Sequence, residues 1–268
     1  MSSGFIGPGR LIDSGLCGAA FNMALDESLC LSVKEGLAGN ETIKTPVVRF
    51  YGWDRPSLSL GRFQKKDEGL NLDFIRENSI PVVVRPTGGR AVLHANELTY
   101  SVISRYEGAF RGKDLFGCYA VISSAIEGAL RRFGISVEVK SGRNGRQVGR
   151  TVQCFGSVSY AEITAGGKKI VGSAQRRWPE CFLQQGSIPF EVDGSLSGKV
   201  FSKGPLDPEA VAGLSGLVPG ANPAVLKQLL KEEFERVLGC PLVPSEPAPE
   251  EFARVRELLP GYFLSSCS

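Results

Sequence analysis

A chain of 268 residues with 42% hydrophobic and 22% charged residues can bury a full core, and its composition excludes disorder, collagen and coiled coil. No apolar run approaches the ~18 residues of a membrane span, the opening MSSGFIGPGRLIDSG has neither a basic nor an apolar leader region, and a formal charge of +3 is too small to mark a nucleic-acid binder. Seven cysteines, odd in number and without CxxC spacing, point to reduced thiols in a cytoplasm rather than to a disulfide framework or a zinc site. No resident metal or cofactor is expected.

In chain order, Phe21, Leu25, Leu29 and Val33 recur every four residues and predict a helix over 18–36, stopped at Gly36. PVVRFYGW (46–53) and SLSLG (57–61) read as strands split by the turn Asp54-Arg55-Pro56. A short helix near 71–78 leads into PVVVR (81–85), then a Gly-rich loop, a strand at 98–104 and a helix over 115–133 ending at Phe133-Gly134. Segments 135–139, 150–155, 158–164, 168–175 and 181–190 read as strands, with Gly166-Gly167 as a hairpin turn. Helices are expected near 207–216, 222–238 and 249–258, with VPSEPAP (243–249) as a Pro-rich connection. The fold class is α+β, a mixed and largely antiparallel sheet flanked by helices. Residues 1–243 form one catalytic domain, and 244–268 form a Pro-rich linker and short helical tail.

Three segments can carry chemistry. In RPTGGRAVLH (85–94) the paired glycines let a backbone approach a ligand closely, and Arg85 and Arg90 can hold an anionic group; a bare Gly-Gly is also an ordinary tight turn. His94 is the single histidine, hence the one candidate base for a Cys-His or Ser-His device, although a lone histidine more often serves as a hydrogen-bonded structural residue. Cys154, in VQCFGSVSY, stands at a strand–loop junction where a thiol can react, or is a small buried hydrophobe like most cysteines. In GGKKIVGSAQRR (166–177), strict alternation groups Lys169 with Val171 and Ser173, and Lys168 with Ile170 and Gly172. Period alone does not choose which lysine enters a cleft, where it can act as a base or stabilise a thiolate.

These features in this order resemble the biotin/lipoate protein ligase catalytic domain family, and within it the LipM-type octanoyltransferases. The resemblance is carried by NMALDES (22–28), SLSLGRFQ (57–64), RPTGGRAVLH and ELTYSV (85–102), CFGSVSYAE (154–162), KKIVGSAQ (168–175), QGSI (185–188) and the ending ELLPGYF, and it covers nearly the whole chain from Gly9 to Phe263. It implies that octanoyl, delivered as a thioester on acyl carrier protein, passes to Cys154. From there it passes to a lysine of a lipoyl domain, that of the glycine cleavage H protein or a 2-oxoacid dehydrogenase E2. No ATP is needed, because thioester exchange is nearly balanced and amide formation is downhill. It also implies that Lys169 lowers the Cys154 pKa, and that Arg85, Gly88, Gly89, His94, Gly172, Ser173 and Ala174 line the acyl pocket.

Two features depart from the family pattern. Gln185 stands where related members often carry His, and 140–150 (KSGRNGRQVGR) is basic throughout, either a solvated loop or a steering patch for an acidic carrier. The rival readings are an ATP-dependent lipoate-protein ligase, which would use Lys169 and Arg85 around an adenylate phosphate, an amidotransferase between lipoyl domains, and a non-catalytic binding module.

Overall fold

The computed structural model describes residues 5, 7–36, 45–65, 69–140, 162–202 and 210–262. In chain order its elements are β1 (Gly9–Cys17), α1 (Ala19–Glu35), β2 (Val47–Trp53), β3 (Ser57–Leu60), α2 (Leu72–Glu77), β4 (Val82–Val84), β5 (Val92–His94), β6 (Glu97–Arg105) and α3 (Leu115–Arg132), followed by β7 (Glu138–Lys140), β8 (Glu162–Ala165), β9 (Lys168–Arg177), β10 (Cys181–Pro189), α4 (Gly194–Val200), α5 (Pro223–Leu238), β11 (Leu242–Pro244) and α6 (Pro249–Tyr262). The larger sheet runs β11-β1-β2-β6-β10-β9-β8-β7, and a smaller one runs β4-β3-β5. In the larger sheet β1 pairs in parallel with β2 and β11, and every other neighbouring pair is antiparallel. The expected mixed, largely antiparallel architecture is therefore present, with a second small sheet that the residue pattern did not announce.

Alternation gives the large sheet two different faces. Val48 and Phe50 of β2, Leu98, Tyr100 and Val102 of β6, and Phe182 and Ile188 of β10 pack under Ile122, Ile126 and Leu130 of α3 and Leu226, Leu230 and Phe234 of α5. Each such fully buried side chain stabilises the fold by about 2 kcal/mol. The opposite face meets α1 and α6. At one end it is apolar, with Val47, Ile103 and Leu183 against Leu29 and Val33. Toward the other end it carries Arg49, Tyr51, Ser101, Thr99 and Gln185, all buried. A buried polar patch on a sheet is costly unless every group finds a partner, and this patch is where the site lies.

The termini of the described chain close on each other. β11 extends the sheet beside β1, Arg10 grips Glu251 of α6 with two 2.8 Å bonds, and Ser28 of α1 donates to the Glu251 carbonyl. The segment after 244 is thus docked on α1 through Val255 and Tyr262. Of the helix expected near 207–216, the described residues 210–216 form one 3₁₀ turn, Leu214–Gly216, and residues 207–209 lie outside the described residues. The backbone there is taken by strand pairing instead, with Lys169 N–H donating to the Ala210 carbonyl and Ala212 N–H to that of Lys169. The expected strand at 150–155 and the basic 141–150 stretch lie outside the described residues. Among the described residues no helix is long and apolar enough to cross a membrane.

Candidate active site

A cleft opens between the polar end of the large sheet and the small sheet. Its walls combine Met23 of α1, Tyr51 and Trp53 of β2, Val92 and His94 of β5, Gly172 to Ala174 of β9 and Gln185 to Ser187 of β10. The surface it exposes is mostly apolar, which suits an acyl chain. Of the residues singled out in the sequence, Arg85, His94, Gly172, Ser173 and Ala174 line it directly.

Behind the cleft, the polar residues of α1 account for the NMALDES pattern. Asn22 and Asp26 stand one helical turn apart and face β2. Asp26 Oδ1 accepts from Arg49 Nη1 at 2.8 Å and Ser101 Oγ at 2.9 Å; its Oδ2 accepts from Tyr51 Oη at 3.0 Å and Gln185 Nε2 at 2.7 Å. Arg49 also donates to the Asn22 side chain and carbonyl and to Ser14 Oγ, and both members of the pair are completely buried. Burial first, and then the Asp26 charge, push the Tyr51 phenol well above its usual range, so it stays a neutral donor. Gln185, the position of departure, joins this network to the glycine loop by accepting from Thr87 Oγ1 at 2.8 Å. It is a structural strut between α1 and residues 86–90, a role that carboxamide chemistry fills with one donor and one acceptor end.

The RPTGGR segment folds around Arg85. Its guanidinium donates to the carbonyls of Ser59, Gly88 and Arg90 and to Ser59 Oγ, at 2.6–3.1 Å. Arg85 thus shapes the cleft wall by holding the loop closed. Gly88 and Gly89 form the rim rather than the lining, and Gly89 adopts φ +93°, a left-handed conformation that favours glycine. Opposite it, a Cβ on Gly61 would lie 1.9 Å from the Gly89 carbonyl oxygen. Gly61→Ala is therefore expected to force the two loops apart and cost about 2 kcal/mol, with a matching fall in activity. Urea unfolding measures this, and an unchanged midpoint would mean that the loops separate freely.

His94 is held on three sides. Its Nδ1 faces Glu97 Oε1 at 2.9 Å, its Nε2 faces Ser59 Oγ at 2.7 Å, and its ring stacks on Trp53 with centroids 3.9 Å apart. Burial pushes the Glu97 carboxyl up, but His94 and the Thr99 hydroxyl outweigh it, so the group is held below its usual range and is ionised at neutral pH. Ser59, Trp53 and Glu97 escaped notice in the sequence; Glu97 at three residues from the single histidine was the available signal.

Lys169 is not where strict alternation predicts. Ile163 pairs with Val171 but Thr164 pairs with Lys169, so Ile170 is the extra residue of a bulge. Opposed residues in an antiparallel pair share a face. Val171 therefore keeps the apolar face of Ile163, while Lys169 turns to the other face, that of Gly172 and Ala174. This corrects the period-2 grouping of Lys169 with Val171 and Ser173. Lys168 pairs with Ala165 and lines a separate groove beside Phe190 and Ala212. Ser173, grouped by alternation away from Gly172, shares the face of Val171 and Tyr100 and bonds Tyr100 Oη at 2.7 Å. Cys154 lies outside the described residues. None of the five described cysteines, Cys17, Cys30, Cys118, Cys181 and Cys240, lines the cleft.

The lipoyl protein ligase A/B catalytic domain matches residues 18–235 of the chain. The chain belongs to that family. Within it, the chain is 35% identical to octanoyltransferase LipM of Moorella thermoacetica over 94% of both chains, and 40% identical to octanoyltransferase LipM of Geobacillus kaustophilus over 72% of this chain and 69% of that one. Full-length similarity of this order makes this family member an acyltransferase of the octanoyltransferase branch. The fold is shared more widely: the bi-partite lipoate protein ligase of Thermoplasma acidophilum superposes with a TM-score of 0.74 at 21% identity, covering 95% of this chain and 93% of that one. The chain thus shares its fold with a solved lipoate protein ligase.

Proposed function

We propose that the chain moves an octanoyl group from octanoyl-acyl carrier protein to a lysine of a lipoyl domain, with Cys154 carrying the acyl group as a thioester and Lys169 stabilising its thiolate. The observation that carries this reading is the identity to octanoyltransferases along almost the entire length of both chains. The site supports it in two ways. The bulge turns Lys169 to the cleft face of β9, where an ammonium raises the thiolate fraction of a nearby cysteine. The donors of Arg85 are engaged by the Ser59, Gly88 and Arg90 carbonyls, which disfavours the ligase reading in which this arginine meets an adenylate phosphate. A lipoyl-domain acceptor fits the family, since the solved Thermoplasma acidophilum ligase was studied with its E2 lipoyl domain.

The steps balance without ATP. The Cys154 thiolate attacks the donor thioester, a carbon–sulfur bond forms as another breaks, and the carrier thiol leaves. The acceptor amine then displaces the Cys154 sulfur, giving an amide. The unpaired state of all the described cysteines fits a reducing, cytoplasmic setting. The test is intact-mass spectrometry of the chain mixed with octanoyl-acyl carrier protein in the absence of ATP. One octanoyl adduct, mapped to Cys154 and discharged by a lipoyl domain, is the expected result. Acceptor modification that requires ATP and free octanoate would move the chain to the ligase class.

A further inference from the structure

The Ser59–His94–Glu97 arrangement is not needed by the cysteine route, yet it has the geometry of an activated nucleophile. Glu97 is ionised and only accepts, so the His94 nitrogen facing it, Nδ1, carries the proton. With Nδ1 donating to Glu97, Nε2 is the nitrogen left to accept, 2.7 Å from Ser59 Oγ. Ser59 Oγ in turn accepts from Arg85 Nη1 at 3.1 Å, so its own proton is directed at His94. Trp53, stacked flat on the imidazole, fixes the ring plane. Serine, base and orienting carboxylate thus stand in the relation that generates a serine nucleophile on unrelated folds, recognised by geometry and not by chain order. Ser59, His94 and Arg85 all line the acyl cleft, so a bound acyl thioester is within their reach.

We infer that Ser59 is a second acyl acceptor of this cleft, and that the Ser59–His94–Glu97 triad gives the chain a thioester hydrolase activity that does not use Cys154. Ser59 Oγ attacks the thioester carbonyl carbon while its proton passes to His94 Nε2. The carbon–sulfur bond breaks and the proton moves on to the leaving sulfur, giving a free thiol and an acyl ester on Ser59. Water attacks that ester with His94 again as base, releasing the fatty acid and restoring the serine. The sum is thioester plus water to acid plus thiol, with no other reactant. The substrate class is an acyl thioester, the class that the proposed transfer brings to this cleft, whose exposed lining is mostly apolar.

Two measurements on the full chain test this. An alkyl fluorophosphonate, which reacts with base-activated serines, is expected to label Ser59 in the unmutated protein and equally in Cys154→Ala. Octanoyl-pantetheine is expected to be hydrolysed by Cys154→Ala, with the rate falling about 10²-fold or more when Ser59→Ala is added, the range assigned to a positioned nucleophile–base pair. The proposal is overturned if the probe leaves Ser59 unlabelled in the unmutated chain and Ser59→Ala leaves hydrolysis unchanged. Because the label is read without any substitution, a misfolded variant does not decide the outcome. Octanoyl transfer that survives Cys154→Ala would count against the cysteine mechanism alone.

Discussion

Arg49→Ala is expected to destabilise the chain by about 4 kcal/mol, most of the stability of a typical domain. The arginine is completely buried, and its partner Asp26 is equally so. With Arg49 gone, Asp26 keeps three neutral donors, Tyr51, Ser101 and Gln185, but no countercharge. A buried carboxylate without one either pays its desolvation or takes up a proton, and either way the folded state loses. The loss also reaches the site, since Gln185 hangs from the same carboxylate and holds Thr87 in the glycine loop. Urea unfolding gives the magnitude. A fall of less than about 1 kcal/mol would mean that Asp26 is accommodated without the cation. Asp26→Asn combined with Arg49→Met is expected to cost less than the sum of the two single changes, because each alone leaves a buried charge unpaired.

Cys154→Ala is expected to reduce octanoyl transfer by about 10⁴-fold or more, leaving what positioning alone supplies, whereas Cys181→Ala retains transfer. The described thiols are poor substitutes. Burial pushes the thiols of Cys17, Cys118 and Cys240 up, away from the thiolate form that attacks. Cys30 is pushed up by its hydrogen bond to Cys181 and by burial, and the same hydrogen bond holds Cys181 below its usual range, but the two sulfurs lie 3.8 Å apart inside the core between α1 and β10 and neither lines the cleft. Assay of acceptor octanoylation by mass decides between outcomes. Transfer by Cys154→Ala at the rate of the unmutated chain would remove the covalent cysteine intermediate.

Much of the frame was legible because its signals are local. The four-residue spacing of Phe21, Leu25, Leu29 and Val33 marks α1, and Gly36 follows its last residue, Glu35. The Gly166-Gly167 pair makes the β8–β9 turn with φ of +54° and +77°, as a tight hairpin requires. What escaped is set by partners distant in sequence. β1 mixes buried, half-buried and exposed residues without a clean period because it lies next to the sheet edge, covered by β11. β4 and β5 are three residues each, too short for a pattern, and they count as strands only through β3. The site divides in the same way. The glycines and His94 stood out as residue types, but the roles of Arg85, Gln185 and His94 follow from Ser59, Asp26, Thr87 and Glu97, of which only Glu97 stands near its partner in the sequence. Lys169 was placed by counting residues in twos, and one unpaired residue, Ile170, defeated the count.

That unpaired residue also settles how a cation and an apolar core share one strand. In an unbroken strand, Ile170 and Val171 face opposite ways, and one of them would stand in the cleft. With the bulge, both contribute to the apolar core, while their two flanking neighbours, Lys169 and Gly172, share the opposite face, where Gly172 lines the cleft. The β9 backbone therefore acts as a parity device: it inverts the order of inward and outward positions at a single point, so that the four residues Lys-Ile-Val-Gly serve the core with their middle and the opposite face of the sheet with their ends.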